Sequence, residues 1–175
     1  MKGGTPLLVW AMAAAFLLLV ASLLIGAFTK PEFPPYELGL HGDSTYTLDA
    51  SRGDTWHWWG ELGFRRNHVI TAPGAGAIDL GPAVFDSVTE LPADGYVPTS
   101  YAGDTANAAI GKWYEYSMWS HLLTSRHHVY AIRGVNGALA KLEILAYYCR
   151  EVGAACYTVR LKTVRPRPVA SGARY

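Results

Sequence analysis

The chain has 175 residues, half of them hydrophobic, and its 15 basic and 14 acidic side chains leave a formal net charge of +1 at pH 7. This balance gives no support to nucleic-acid binding, for which only a short basic tail is available. The residues from Pro31 onward suffice for one domain with a core of its own, but not for two.

The N-terminal segment is long and apolar. Gly3–Thr29 contains no charged side chain, and Leu7–Phe28 is an almost unbroken apolar run. About 20 helical residues cross the hydrocarbon core of a bilayer, whereas a signal peptide usually has an apolar stretch of about 7–15 residues and a cleavage site of small residues. Because Ala27-Phe28-Thr29 is a poor cleavage site, residues 1–29 are predicted to form an uncleaved transmembrane anchor. A cleavable signal peptide is the alternative.

The charges beside this segment indicate its orientation. Lys2 and the amino terminus precede it, while Lys30 and Glu32 nearly cancel behind it. Positive residues favour the cytoplasmic side of a membrane. The N-terminus is therefore predicted to lie in the cytoplasm of a bacterium, with a single pass through the inner membrane and the rest of the chain in the periplasm. No cysteine near the end of the segment could carry a lipid.

A linker and a β-rich region are predicted next. Residues 30–36, KPEFPPY, form a proline-rich linker. Residues 37–164 are predicted to form a mostly β, antiparallel domain, because Gly, Pro and aromatic residues are abundant and helical periodicity is scarce. A first strand pair is expected at Trp56–Phe64 and His68–Thr71, and Pro73–Gly103 is expected to consist largely of long loops.

The clearest strands lie late in the chain. Val129–Arg133 and Ala138–Tyr148 flank Asn136-Gly137, and Asn-Gly is a strong hairpin signal. In Cys156–Val164, apolar and polar residues alternate as in a strand with one buried face. These three segments are predicted to form an antiparallel meander.

The chain has two cysteines, Cys149 and Cys156. The six residues between them, REVGAA, are typical of a turn. Disulfides persist in oxidising compartments such as the periplasm. A disulfide is therefore predicted, with two buried thiols as the alternative.

Charge is distributed unevenly along the chain. Residues 31–104 hold 11 acidic and 3 basic side chains, whereas residues 126–175 hold 9 basic and 2 acidic ones. One interpretation is a domain with an acidic side and a basic side, which could orient against charged neighbours. The alternative is that the charges simply keep two faces of the domain in water. The basic tail, residues 165–175, is predicted to be free or to lie on a partner.

Three stretches of the chain resemble the HmuY-like family of bacterial haem-binding proteins. They are Trp59–Gly76, Asn107–Tyr116 and Val129–Arg160, which follow the family's order and together cover roughly residues 56–164. The third contains the family's aromatic-apolar-Arg, Asn-Gly, Ala-Lys-Leu, Tyr-Tyr and Thr-apolar-Arg features. The resemblance implies one β-rich extracytoplasmic domain that binds haem through axial side chains. Family members are typically lipoproteins or secreted, and this chain departs from them by its transmembrane helix.

Six histidines are present, and imidazole is a common ligand of haem iron. Weak ligand candidates are His121, His127 and His128, which border the best-matched stretch; the alternative is that they are ordinary surface histidines. The chain has no Cys-x-x-Cys-His motif for covalent haem and no paired histidines at the spacing of a helical zinc site. No cofactor of its own is expected, apart from the haem that the resemblance allows.

Tryptophan is clustered in two places, at Trp56, Trp58 and Trp59 and at Trp113 and Trp119. Strand alternation would place Trp56 and Trp58 on the same face. Burial in the core is the ordinary expectation for such residues. Trp is also enriched at protein interfaces and membrane surfaces, so these five residues are predicted as candidate docking residues.

Signatures of enzymes are missing from the sequence, which has no nucleophile elbow, phosphate loop or dinucleotide fingerprint. The leading hypothesis is a non-catalytic accessory subunit of a bacterial inner-membrane electron-transfer complex, of the photosynthetic reaction-centre and light-harvesting kind. Its partners would be the other subunits and the lipid bilayer. The competing hypothesis is a membrane-anchored, HmuY-like haem-binding protein.

Overall fold

The computed structural model describes residues 5–28, 39–41, 45–51, 55–58, 61–102, 105–149 and 153–164. The chain divides into two compact units. One contains the N-terminal helix and the segment Tyr116–Leu123, and the other contains residues 33–115 and 124–175. The predicted linker, the predicted basic tail and Trp59 lie outside the described residues.

The N-terminal helix, α1, spans Thr5–Phe28, as the apolar run predicts. Its stretch Leu7–Ile25 is long and apolar enough to cross a membrane, a property that a signal sequence near an N-terminus shares. Large side chains along it are well exposed, with Leu8 and Phe16 each 64% exposed. Apolar surface of this extent requires lipid or a protein partner to cover it.

The largest sheet is built from β1 (Gly39–His41), β2 (Thr45–Asp49), β6 (Gly76–Asp79), β11 (Val129–Arg133), β12 (Leu139–Tyr148) and β13 (Ala154–Val164). Their order is β1-β2-β13-β12-β11-β6, with antiparallel neighbours throughout. The predicted meander is therefore confirmed. Gly137 at its first turn has φ +80°, a left-handed conformation that glycine adopts without steric cost.

A second, three-stranded sheet contains β3 (Thr55–His57), β4 (Leu62–Arg65) and β5 (His68–Thr71). The β4–β5 pair confirms that the two predicted strands pair, and the turn between them consists of Arg66 and Asn67. The single strand predicted from Trp56 to Phe64 is wrong, because the chain reverses within it and Trp56 pairs with Gly63. Trp58 lies in that reversal with φ +51°. The prediction that Trp56 and Trp58 share one strand face is therefore wrong as well.

The remaining elements are short. They are a 3₁₀ helix at Phe85–Ser87 and the two-residue strands β7 (Thr99–Ser100) and β8 (Ala106–Asn107), followed by β9 (Tyr114–Tyr116) and β10 (Leu123–Ser125).

The prediction of long loops for Pro73–Gly103 holds only in part. Within that stretch β6 joins the largest sheet along β11, a pairing between residues about 50 apart that local patterns do not reveal.

The core lies on both faces of the largest sheet, and Leu139–Ile144 of β12 is buried throughout. On one face, Tyr157 contacts Phe64 of the three-stranded sheet, with ring centroids 4.9 Å apart. On the other face, Leu139 packs with Leu91 from the segment that contains the 3₁₀ helix. The sheet is thus the central layer of the domain, and it fixes the positions of the polar side chains described below.

A disulfide joins Cys149, just after β12, to Cys156 of β13, with Cα atoms 4.8 Å apart. The backbone N–H of Cys149 donates to the carbonyl of Gly153 at 3.1 Å. The bridge therefore closes the end of the β12–β13 hairpin, as the sequence predicts.

We expect reduction of this bridge to lower the free energy of unfolding by about 2–3 kcal/mol, because the opened loop regains conformational freedom in the unfolded chain. Urea titration with and without reductant measures the change, and a Cys149→Ser/Cys156→Ser variant should match the reduced protein. Alkylation without reductant should modify neither cysteine. Two modified thiols would show that the native protein is reduced.

Candidate functional site

The histidine pair His127-His128 lies between β10 and β11, at one end of the largest sheet. Nδ1 of His128 is 3.0 Å from both carboxylate oxygens of Asp79 on β6. The side chain of His128 is only 18% exposed. Asp79 thus fixes the orientation of this ring, and most of the imidazole is covered.

His127 is the more accessible of the two, with 58% of its side chain exposed. Its Nδ1 is 3.4 Å from Oε1 of Glu143 on β12, and its backbone N–H donates to Oγ of Ser125 at 3.0 Å. Its φ is +53°, a region that non-glycine residues seldom occupy and that is enriched at functional sites. His127 therefore combines an exposed ring with a backbone held in an uncommon conformation.

This arrangement is suited to ligation of a metal centre. A ligating histidine usually directs its second ring nitrogen at a carboxylate or carbonyl, which sets the tautomer and raises the basicity of the ligating nitrogen. Glu143 stands in that relation to Nδ1 of His127, so Nε2 is the ring nitrogen left for a metal ion. Among the residues that the structure describes, no three His, Cys, Asp or Glu side chains converge on a metal ion.

Glu143 is also tied to the neighbouring strand. Nη1 of Arg160 on β13 lies 3.6 Å from Oε2 of Glu143. Nη2 of the same guanidinium donates to both oxygens of Asp86 at 2.9 and 2.8 Å, and this hydrogen bonding holds the pKa of Asp86 below its ordinary value. The carboxylate facing His127 is thus fixed from the opposite side.

These contacts bear on the predicted charge polarity. Asp79 and Asp86 belong to the acidic part of the chain, while His128 and Arg160 belong to the basic part. The fold brings them together in pairs. At Asp86 and Arg160, opposite charges neutralise each other instead of forming two separate charged faces.

His121 lies elsewhere, in the unit that contains α1. Its side chain is exposed, its Nδ1 is hydrogen-bonded to the hydroxyl of Tyr116, and its φ is +55°. The structure therefore brings His127 and His128 together with carboxylates and places His121 in a separate segment.

The tryptophans predicted for docking have different environments. Trp113 is 1% exposed, and its Nε1 donates to the carbonyl of Asn67 at 2.9 Å, which leaves it no surface for docking. Trp58 is partly buried, whereas Trp56 and Trp119 are 41% and 66% exposed. Of the four predicted docking tryptophans that the structure describes, only Trp56 and Trp119 offer the broad apolar surface that docking requires.

Asp79 and Glu143 are the site residues that the sequence does not reveal. Asp79 is 49 positions from its partner His128. Acidic side chains of this kind are common on strand surfaces, and nothing local distinguishes them. The only signal in the sequence is the alternation within Ala138–Tyr148, which would place Lys141 and Glu143 on one face.

No family model and no curated protein matches the chain. Solved structures do match. A Bacteroides vulgatus protein assigned as HmuY-like and haem-binding superposes with a TM-score of 0.57 at 14% identity, over 76% of this chain and 100% of that one. An HmuY analog of Tannerella forsythia, in its apo form, gives 0.51 at 15% identity, over 67% and 71%. A Bacteroides fragilis protein assigned as a lipoprotein gives 0.51 at 14% identity, over 67% and 88%.

The chain consists of a mostly antiparallel β domain and one apolar N-terminal helix. The fold of this chain is HmuY-like. One of these neighbours is assigned as a lipoprotein, and α1 of this chain is long and apolar enough to cross a membrane. Nothing in the comparisons supports a reaction-centre or light-harvesting subunit.

Proposed function

We propose that this chain is a membrane-anchored haem-binding protein whose β domain lies outside the cytoplasm. The observation that carries the proposal is the HmuY-like fold, shared with a protein assigned as haem-binding. That likeness favours the competing hypothesis of the sequence analysis over an accessory subunit of an electron-transfer complex. A binding role without catalysis also agrees with the missing enzyme motifs.

His127 is the residue that we propose as an axial ligand. It is the more exposed member of the histidine pair, and Glu143 faces its Nδ1. Haem would supply the iron and the large apolar ring. The chain would supply an imidazole whose orientation is set by Glu143, which is itself held by Arg160.

Titration of the full chain, in detergent micelles, with haemin tests this proposal. We expect a Soret shift that saturates at one haem per chain and is lost in His127→Asn, because asparagine tolerates the positive φ but cannot replace the imidazole. His128→Asn is the matched control, since its ring is mostly covered, and it should keep the shift. Glu143→Gln should weaken binding about 10–100-fold, the usual effect of losing a partner of a ligating histidine.

The outcomes separate two questions. Without a saturable Soret shift, the haem proposal fails. A shift that survives in His127→Asn but is lost in His121→Asn or His128→Asn would keep haem binding and overturn the choice of ligand.

Other subunits of a membrane complex remain a proposal for the partners of this chain. The exposed apolar surface of α1 is consistent with such a partner, but lipid alone would cover it equally well. Purification of the tagged chain in mild detergent distinguishes the two. Migration as a lone monomer would remove the partner proposal and leave the haem proposal unaffected.

A further inference from the structure

The segment Tyr116–Leu123, called the tip below, connects β9 to β10 and exposes large apolar side chains. Met118 is 71% exposed and Trp119 is 66% exposed, while Tyr116 is 49% exposed. The sequence of the tip, YSMWSHLL, contains no Asp, Glu, Lys or Arg. Side chains of this size and polarity in water are unfavourable, and together they indicate a binding surface.

Several polar groups of the tip are hydrogen-bonded to other groups within the tip. The backbone N–H of Ser117 donates to the carbonyl of Leu122, and that of His121 donates to the carbonyl of Ser117, both at 2.9 Å. The N–H of Ser120 donates to Oγ of Ser117 at 3.2 Å, and Tyr116 is hydrogen-bonded to His121. A polar group that leaves water without a partner costs several kcal/mol. These internal bonds lower that cost for the tip.

The tip and α1 belong to one compact unit of the structure. The helix contains the apolar stretch Leu7–Ile25, which is long enough to cross a bilayer. Because the two belong to one unit, a helix in the bilayer would bring the tip close to the lipid. Trp and Tyr are the residues that membrane proteins place at the level of the headgroups, because their rings are apolar and carry one polar group.

We propose that the tip is a membrane-interface anchor, which inserts Met118 and Trp119 into the boundary between headgroups and acyl chains of the bilayer that α1 crosses. Interfacial segments of this kind reach roughly 5–10 Å into that boundary. The tip would therefore be a second point of contact with the membrane, in addition to α1. This inference does not depend on haem binding.

A protein partner is the other conceivable occupant of this surface. Lipid is favoured by two observations, the absence of charged residues that would pair with a partner's charges and the shared unit with α1. The experiment must therefore measure contact with lipid directly.

Fluorescence quenching by doxyl-labelled lipids provides that measurement. The full chain is reconstituted into phosphatidylcholine liposomes as a Trp10→Phe variant, which removes the tryptophan of α1. We expect strong quenching when the doxyl group is near the headgroup and weaker quenching when it is near the end of the acyl chain. Adding Trp119→Phe should abolish most of this quenching, while adding Trp56→Phe, at an exposed position outside the tip, should not.

A Met118→Ser substitution gives an independent readout. It should weaken the quenching of Trp119 by making insertion less favourable, without changing the far-UV circular dichroism spectrum. Equal quenching in the Trp119→Phe and Trp56→Phe variants would overturn the proposal. Absence of headgroup-region quenching would overturn it too, and would assign the tip to water or to a protein partner.

Discussion

Replacing Trp113 by alanine is expected to lower the free energy of unfolding by about 3–5 kcal/mol. The indole is almost fully buried, and its ring lies 5.5 Å from the rings of both Tyr147 and Tyr157. Alanine leaves a cavity among these rings and removes the hydrogen bond to the carbonyl of Asn67. A single domain is typically stable by only about 5–15 kcal/mol, so the β domain would lose a large share of its stability.

Urea unfolding followed by circular dichroism measures this effect, and two controls define it. Trp119→Ala changes the same residue type at an exposed position and should alter stability by no more than about 0.5 kcal/mol. Tyr157→Phe should also change little, because the Tyr157 hydroxyl is buried without a hydrogen-bond partner among the described residues. Similar losses in Trp113→Ala and Trp119→Ala would contradict the packing described above.

Replacing Lys141 by methionine is expected to destabilise the domain by about 1–3 kcal/mol, the usual cost of leaving a buried polar group unpaired. Lys141 is 4% exposed, and its Nζ donates to the carbonyls of Phe85 and Val88 at 2.5 and 2.8 Å. It thereby holds the 3₁₀ helix on the sheet, with Nζ 4.5 Å from the centroid of the Phe85 ring. Methionine keeps the length of the side chain but donates no hydrogen bond.

Lys162→Met is the matched control. Lys162 lies opposite Lys141 on β13 and is exposed, so its substitution should change stability by no more than about 0.5 kcal/mol. Thermal unfolding and urea titration of the two variants provide the comparison. Equal effects would show that the contacts of Lys141 with the two carbonyls contribute little.

Lys141 also makes the free energy of unfolding depend on pH. Burial lowers the pKa of Lys141 below its ordinary value of 10.5. Between the lowered value and 10.5, the unfolded chain binds more protons than the folded one, so stability rises with pH in that window. Burial raises the pKa of Tyr157 and Tyr130 above 10.0, which has the opposite effect above pH 10. The rise in the free energy of unfolding is therefore expected below pH 10, and the Lys141→Met variant should not show it.

The two tryptophans of one sequence cluster show how far the sequence can predict a site. Trp113 and Trp119 are six positions apart, and the sequence predicts both as docking residues. Only the tertiary structure separates them, because Tyr147 and Tyr157 come from distant strands to pack against Trp113, while Trp119 stays 66% exposed. Burial depends on what packs against a side chain, and the local sequence contains no record of it.

The histidines show the same limit. From the sequence alone, the position of His127 and His128 beside the predicted meander could be recognised, and haem could be suggested as a ligand. The carboxylates that face His127 and His128 could not, because Glu143 and Asp79 come from other strands. Strand register decides which side chains meet, and it is set by the whole sheet.

By itself, the sequence determined the features that arise from short stretches of chain. The apolar helix follows from one uninterrupted run, and the β11–β12–β13 meander follows from alternation, an Asn-Gly turn and a pair of cysteines. The reversal at Trp58, the pairing of β6 with β11 and the exposure of the tip were decided by tertiary structure. The pairing of β6 with β11 depends on contacts between segments far apart in the chain, and the exposure of the tip depends on which segments pack against it, so the free energy of packing outweighs local preference there.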